Sequence, residues 1–271
     1  MQLIDKNNIR NSFQKNGYYI FEDSVVDKEL VENVRAGIDL VRIGEYDTGK
    51  PPEPSPWNPG DDPNILCKIE QPQFANKVIA ELISSNQIGE LAAIAADAKM
   101  IQVWWVQLLY KPPTKPDTIS ETKVGWHQDW MYWKNDWQKG SNLFTGWFAL
   151  SNVAEESGPM KFVNGSHKWG ELSEGDFFNQ NNSRNNFSLK QDQVWDETPA
   201  VMSAGGMSLH DKLLLHGSGH NTSNEPRCSL AIHLRSEKSK LLGSERGILT
   251  KYIDDLDMCP IIYGKKHSDA F

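Results

Sequence analysis

Gly125-Trp126-His127-Gln128-Asp129-Trp130-Met131-Tyr132-Trp133 is the stretch whose reading decides the rest of the chain. His127 and Asp129 are two residues apart, and side chains at that spacing on a β-strand share a face. An imidazole nitrogen and a carboxylate oxygen would then converge on one point. That is two-thirds of the 2-His-1-carboxylate triad, which holds Fe(II) and leaves positions open for other ligands. The missing histidine should lie well downstream, end a strand and face the same interior.

Seven histidines are available. His216 fits, because it closes the apolar run Leu213-Leu214-Leu215 and directly precedes Gly217-Ser218-Gly219. His210 precedes Asp211-Lys212 and is expected near a turn, His220 is expected in an exposed turn, and His167 reads as a turn residue. Between residues 227 and 235, Cys228, Leu230, Ile232 and Leu234 form one face of a strand. Arg227, Ser229, Ala231 and His233 form the other, which suits a barrel interior. An isolated buried charge costs several kcal/mol, so an inward Arg227 needs an anion. A guanidinium fork holds a carboxylate through two parallel bonds, and Ser229 adds a hydroxyl. Arg227-Cys228-Ser229 therefore reads as a clamp for a dicarboxylate cosubstrate that also chelates iron.

Composition sets the bounds. The chain has 271 residues, 38% of them hydrophobic, enough for one substantial core. A net charge of −8 without basic clusters argues against nucleic acid and anionic membrane as partners. Three scattered cysteines give no disulfide framework and no zinc cluster, which suits a reducing compartment. The N-terminal residues lack the apolar core of a signal peptide, and the apolar region 91–110 is interrupted by Asp97, Lys99 and Gln102. The end, Ser268-Asp269-Ala270-Phe271, is no peroxisomal address. A soluble cytoplasmic protein, monomer or homodimer, is the expectation.

Periodicity predicts a helix over 5–16, a strand over 17–21, and a helix from Asp27, as N-cap, to about Val41. The proline-rich stretch 45–64 is a long loop, either lid or mobile, in which Trp57 alone would gain from docking. Residues 74–97 read as packing helices and 100–110 as a buried strand. Further short strands are expected over 143–153, where Phe144, Gly146, Phe148 and Leu150 alternate with Thr145, Trp147 and Ala149, and over 160–163, 200–202 and 227–235. The Asn-rich segment 179–186 reads as an exposed insertion. Short strands between Gly, Pro and Asn turns suggest an all-β jelly roll.

Taken in order, His127-x-Asp129, then Gly158-Pro159-Met160 with Asn164-Gly165-Ser166-His167-Lys168, then His216-Gly217-Ser218-Gly219-His220-Asn221-Thr222-Ser223, then Arg227, resemble the phytanoyl-CoA dioxygenase family of Fe(II)/2-oxoglutarate oxygenases. Trp147-Phe148-Ala149-Leu150 also matches its pattern, and the resemblance covers roughly residues 8–240. Asn164 departs from the family's usual proline, at a turn and not at a ligand.

The resemblance implies a mainly β fold, a double-stranded β-helix (cupin-like jelly roll). N-terminal helices to about residue 100 would cover a core over about 101–240, the whole chain forming one dioxygenase domain. It implies Fe(II) on His127, Asp129 and His216, with 2-oxoglutarate and O2 as cosubstrates and Arg227 on the far carboxylate. Gln107, Lys111 and Trp147 become candidates for the cosubstrate pocket, and Trp130, Tyr132 and Trp133 for its substrate wall. The implied chemistry is hydroxylation of an unactivated C–H of a small metabolite, such as an amino-acid derivative, aminophosphonate or natural-product intermediate, with release of succinate and CO2. Desaturation, epimerisation and cyclisation start from the same chemistry. Asp129 argues against halogenation, in which that carboxylate is replaced.

Two other classes stand beside this one: a metal-binding barrel without catalysis, and a hydrolase of cupin shape. The first has no need of an anion clamp, and the second needs a general base that no residue supplies. The bland readings are an incidental surface pair for His127 and Asp129, a structural ion pair for Arg227, and ordinary core for the aromatic cluster.

Overall fold

The computed structural model describes residues 5–114, 122–179 and 181–265. The chain begins with helix α1 (Lys6–Asn16), capped by the Asp5 carboxylate and ended by Gly17 in the left-handed conformation at φ +86°. A Cβ there would also collide with the His167 ring. Strand β1 (Tyr18–Phe21) and helix α2 (Lys28–Arg42) follow. Asp27 stands at the N-cap of α2 without a side-chain capping bond. Next come β2 (Cys67–Glu70), α3 (Lys77–Ile83) and α4 (Asn86–Ala96). The predicted helical run 74–97 is thus two helices, because Ser85 leaves the helical conformation to cap α4.

The remaining elements are β3 (Ile101–Lys111), β4 (Val124–His127), the single turn α5 (Trp130–Trp133), β5 (Leu143–Ala149), β6 (Met160–Val163) and β7 (Glu197–Pro199). They continue with β8 (Met207–Asp211), β9 (His216–Ser218), β10 (Arg227–Ser236) and β11 (Ile261–Tyr263). The larger sheet runs β1-β8-β5-β10-β3-β11 with β2 added to β3, and the smaller runs β4-β9-β6-β7. Every pairing is antiparallel. The two sheets stack as a jelly roll without closing into a barrel. Among the described residues no helix is long and apolar enough to cross a membrane.

Strand alternation assigns the faces. Cys228, Leu230, Ile232 and Leu234 of β10, with Phe144 and Phe148 of β5 and Val106 and Leu108 of β3, pack against α1 to α4 in the main core. The opposite faces turn toward the small sheet and line a cavity.

Several expectations are corrected. The first hundred residues supply more than helical cover: β1 and β2 join the large sheet, and β11 adds a strand beyond residue 240. The 143–153 strand ends at Ala149, and the one sought at 200–202 lies at β7, with Met202 only bridging to Val153. The 45–64 loop is irregular but docked. Trp57 is 4% exposed, and the loop bonds to β2 through Glu53 N to Glu70 O (3.0 Å) and Trp57 N to Lys68 O (3.3 Å). None of its residues lines the cavity described below. Nor is 179–186 wholly exposed. Asn182 is buried, its carbonyl accepting from Trp126 N (2.7 Å) and its amide donating to Trp126 O (2.9 Å).

Candidate metal centre and cosubstrate pocket

The register of the small sheet places His127 on β4 directly opposite His216 on β9. In each ring Nδ1–H donates to a backbone carbonyl two residues back: Gly125 O at 2.8 Å and Leu214 O at 2.9 Å. Those bonds fix the tautomers, so both Nε2 atoms carry lone pairs. Asp129 Oδ1 stands 3.6 Å from His127 Nε2 and 3.8 Å from His216 Nε2. One donor atom from each of the three residues lies within 4.8 Å of the others, and all three residues are buried.

The convergence does not come from strand alternation, as the spacing suggested. Strand β4 ends at His127, and Asp129 has helical dihedrals at the start of α5. A tight turn carries the carboxylate round. Gln128, between the ligands, is fully buried and pins that turn. Its amide donates to Gly170 O (2.9 Å) and Leu213 O (2.6 Å), and its carbonyl accepts from Leu172 N (2.9 Å). Likewise His216 opens β9 instead of ending the apolar run before it, which lies outside any strand.

The electrostatics suit a cation. Burial works to raise the Asp129 carboxyl, but His216, His127 and His210 around it prevail and hold it well below the usual carboxylate range. Burial, reinforced by His127 and His210, pushes His216 well below the usual imidazole value. At neutral pH the site therefore offers a carboxylate and neutral nitrogen, and no proton competes for the lone pair.

The triad opens into a cavity of about 200 Å³. At one end is Arg227, 1% exposed, its Nη1 donating to Gly158 O and its Nε without a partner. Its guanidinium carbon lies 5.1 Å from the centroid of the Trp147 ring. Lys111, also fully buried, donates to Ser218 Oγ (2.7 Å) and to the carbonyl oxygens of Gly219 and Gly158. Among the described residues no carboxylate pairs with either cation. Burial lowers both, Arg227 to about 10, and Arg227 adds to the effect on Lys111. Arg227 thus reaches the cavity with an unused donor and no carboxylate partner among the described residues, and Lys111 stands buried behind it.

The model of the family described as "Phytanoyl-CoA dioxygenase (PhyH)" matches residues 13–229, most of the chain. The chain belongs to that family. Its relatives include a probable alpha-ketoglutarate-dependent hypophosphite dioxygenase of Stutzerimonas stutzeri, 28% identical over 193 residues, with 68% of this chain and 62% of the relative aligned. Another is the multifunctional dioxygenase ausE of Penicillium brasilianum, 29% identical, with 62% and 52% aligned. The chain thus spans between half and two-thirds of the length of these curated relatives. Among solved structures the alpha-ketoglutarate-dependent epimerase SnoN from nogalamycin biosynthesis superposes with a TM-score of 0.67 at 19% identity, over 90% of this chain and 88% of that one. The carbocyclase SnoK from the same biosynthesis gives 0.66 at 18%, over 96% of each. These likenesses establish the double-stranded β-helix fold.

Within that family fold the cavity gathers most of the predicted residues. His127, Asp129, His216, Arg227, Gln107, Trp147, Tyr132 and Trp133 line it. Ser229, Lys111 and Trp130 are not part of the lining. The Ser229 hydroxyl donates to Leu109 O (3.2 Å), within the large sheet. Lys111 stands behind Ser218, and the Trp130 ring packs under the Lys212 ammonium, 4.3 Å from its centroid. Gln107 donates to Glu70 (3.3 Å), which also accepts from Lys68 (2.6 Å) and Trp105 Nε1 (2.5 Å).

Other lining residues escaped the sequence reading. His210 is on β8, buried and 3.4 Å from Asp129 Oδ2, not at a turn. The signal was available: Ser208 and His210 alternate with Met207 and Leu209, an inward polar face on a buried strand. Thr145 and His233 share the inner faces of β5 and β10, and Lys68 and Glu70 come from β2. Phe177 packs its ring 5.3 Å from His127, and its backbone N–H donates to Tyr132 Oη (2.8 Å), a contact that no local pattern announces.

Proposed function

We propose that the chain is an Fe(II)/2-oxoglutarate-dependent oxygenase that hydroxylates an unactivated C–H of a small metabolite. The observation that carries this reading is the pairing of a three-donor metal set with an uncompensated cationic end in one cavity. His127 Nε2, Asp129 Oδ1 and His216 Nε2 would hold the metal, and the donor set of two imidazoles and one carboxylate fits Fe(II). Arg227, with its unused Nε–H, would take the distal carboxylate of 2-oxoglutarate. Ser218 accepts from Lys111, so its own proton is free to donate to that carboxylate. When bound, iron and 2-oxoglutarate supply the oxidising chemistry, O2 being consumed and succinate and CO2 released.

The chain's own part is binding, orientation and exclusion of water. Trp147 supports the guanidinium plane, and Lys111 holds Ser218 and the Gly158 carbonyl that fixes Arg227. Trp133, Tyr132, Phe177 and Gln107 wall the other side of the triad. A cavity of about 200 Å³ supports the reading of a small substrate. Its aromatic lining favours an apolar body with few polar handles.

Anaerobic titration of the metal-free protein with Fe(II) and 2-oxoglutarate tests the reading. The expected result is a weak visible charge-transfer band that is absent in His216→Ala and Asp129→Ala. Iron binding without the band would make Arg227 structural and the cavity a metal site of another purpose. With a substrate found by succinate release, one atom of O2 in the product indicates hydroxylation. An isomerised or dehydrogenated product without it indicates epimerisation, cyclisation or desaturation at the same centre.

A further inference from the structure

The two oxygens of Asp129 have different surroundings. Oδ1 faces the Nε2 atoms of His127 and His216, at 3.6 and 3.8 Å. Oδ2 accepts from the Thr145 hydroxyl at 2.8 Å and has His210 Nε2 farther off, at 3.4 Å. Thr145 Oγ1 also lies 2.9 Å from His233 Nδ1. A hydroxyl has one proton to give, and a carboxylate can only accept. Thr145 therefore donates to Asp129, and His233 Nδ1–H donates to Thr145. The order of protons is fixed along the whole path from His233 to Asp129.

The anchor of this path is rigid. Thr145 on β5 and His233 on β10 are direct cross-strand partners at the centre of the large sheet. The His233 ring sits between Trp104 and Trp133, with centroids 5.5 and 4.9 Å away. Asp129 belongs to the turn after β4 of the small sheet, so the path bridges the two sheets. His233 also lies beyond the residues that the family model matches.

We infer that Thr145 and His233 are positioning residues for the metal: hydrogen-bonded in series, they hold the outer oxygen of Asp129 and so aim the inner one at the ion. Partners that orient a metal-binding carboxylate set metal affinity as well as geometry. The inference rests on the metal-site reading above.

The test is the anaerobic Fe(II) dissociation constant of the full chain, measured by competition with a chromophoric chelator, beside the thermal midpoint of the metal-free protein. Thr145→Val removes the hydroxyl at nearly constant shape and is expected to weaken Fe(II) binding about 10- to 100-fold. Thr145→Ser should restore near-wild-type affinity. His233→Leu should weaken binding less, and His233→Asn, whose amide N–H can replace Nδ1–H, should recover it. The double variant Thr145→Val/His233→Leu should bind no worse than Thr145→Val alone, because the path is already cut.

Wild-type affinity in Thr145→Val, or full additivity in the double variant, overturns the inference. If Thr145→Val does not fold, the His233 pair decides, and equal affinities of His233→Leu and His233→Asn overturn it. A wild-type chain that binds no Fe(II) overturns the metal assignment itself, whereas one that binds it while Thr145→Val binds equally overturns only the positioning path.

Discussion

Arg227 sets two demands against each other. Its charge is buried, its Nε has no partner, and no carboxylate pairs with it among the described residues. A charge held this way destabilises the ligand-free fold and strengthens the binding of an anion. Arg227→Met is therefore expected to weaken 2-oxoglutarate binding by about a hundredfold, roughly the 2.7 kcal/mol of a lost charge-assisted pair. The same change should leave the urea midpoint of the ligand-free protein unchanged or higher. Isothermal titration and urea unfolding read the two signs separately, and a lower midpoint would show that Arg227 holds the fold together.

The turn after β4 depends on a segment far away in sequence. Asn182 satisfies both backbone groups of Trp126, the residue before the first ligand. Asn182→Ala should cost about 1–3 kcal/mol, because the buried Trp126 N–H loses its partner while Trp126 O keeps the Asp176 N–H at 3.1 Å, and should also weaken Fe(II) binding. Gly125 faces the same segment from the other side. A Cβ there would stand 2.1 Å from Asp176 O and 2.5 Å from Asn179 O. Since both are backbone atoms, Gly125→Ala must push the 176–179 segment away, taking Phe177 from His127. Urea unfolding and chelator competition on both variants check this. An Asn182→Ala protein with unchanged metal affinity would show that β4 keeps its shape unaided.

Across the molecule, the buried histidines set the response to acid. Burial lowers His233 to about 4 and takes His216 well below its usual value. Below about pH 6.5 the unfolded chain takes up these protons and the folded one does not, so stability falls as pH falls. Each such histidine contributes a slope of about 1.4 kcal/mol per pH unit between the unfolded and folded values. Asp129 acts later: its depressed value makes its contribution full above about pH 4 and lost as pH falls further. The urea midpoint of the metal-free protein should drop from pH 7 to pH 5, with burial raising the Asp211 carboxyl and so working against that fall at its lower end. A flat profile over that interval would mean that the histidines are solvated in the folded state.

Much of this was legible in the chain. The alternations in β5 and β10 follow from the two-residue period of a strand; the one in β10 placed Arg227 on an inward face without reference to anything distant, whereas Trp147 became a pocket candidate only through the family resemblance. The order His127, Asp129, His216, Arg227 pointed to the family, because metal and carboxylate recognition admit few side chains. What only the tertiary structure decided is how distant pieces meet. Asp129 reaches the metal position through a turn held by Gln128, not through strand alternation. His210, Thr145 and His233 gather around it from β8, β5 and β10. Lys68 and Glu70 enter from a strand in the supposedly helical half, and Asn182 from an apparently exposed insertion. Strand register and sheet stacking bring these groups together, and neither is set by the local residue pattern.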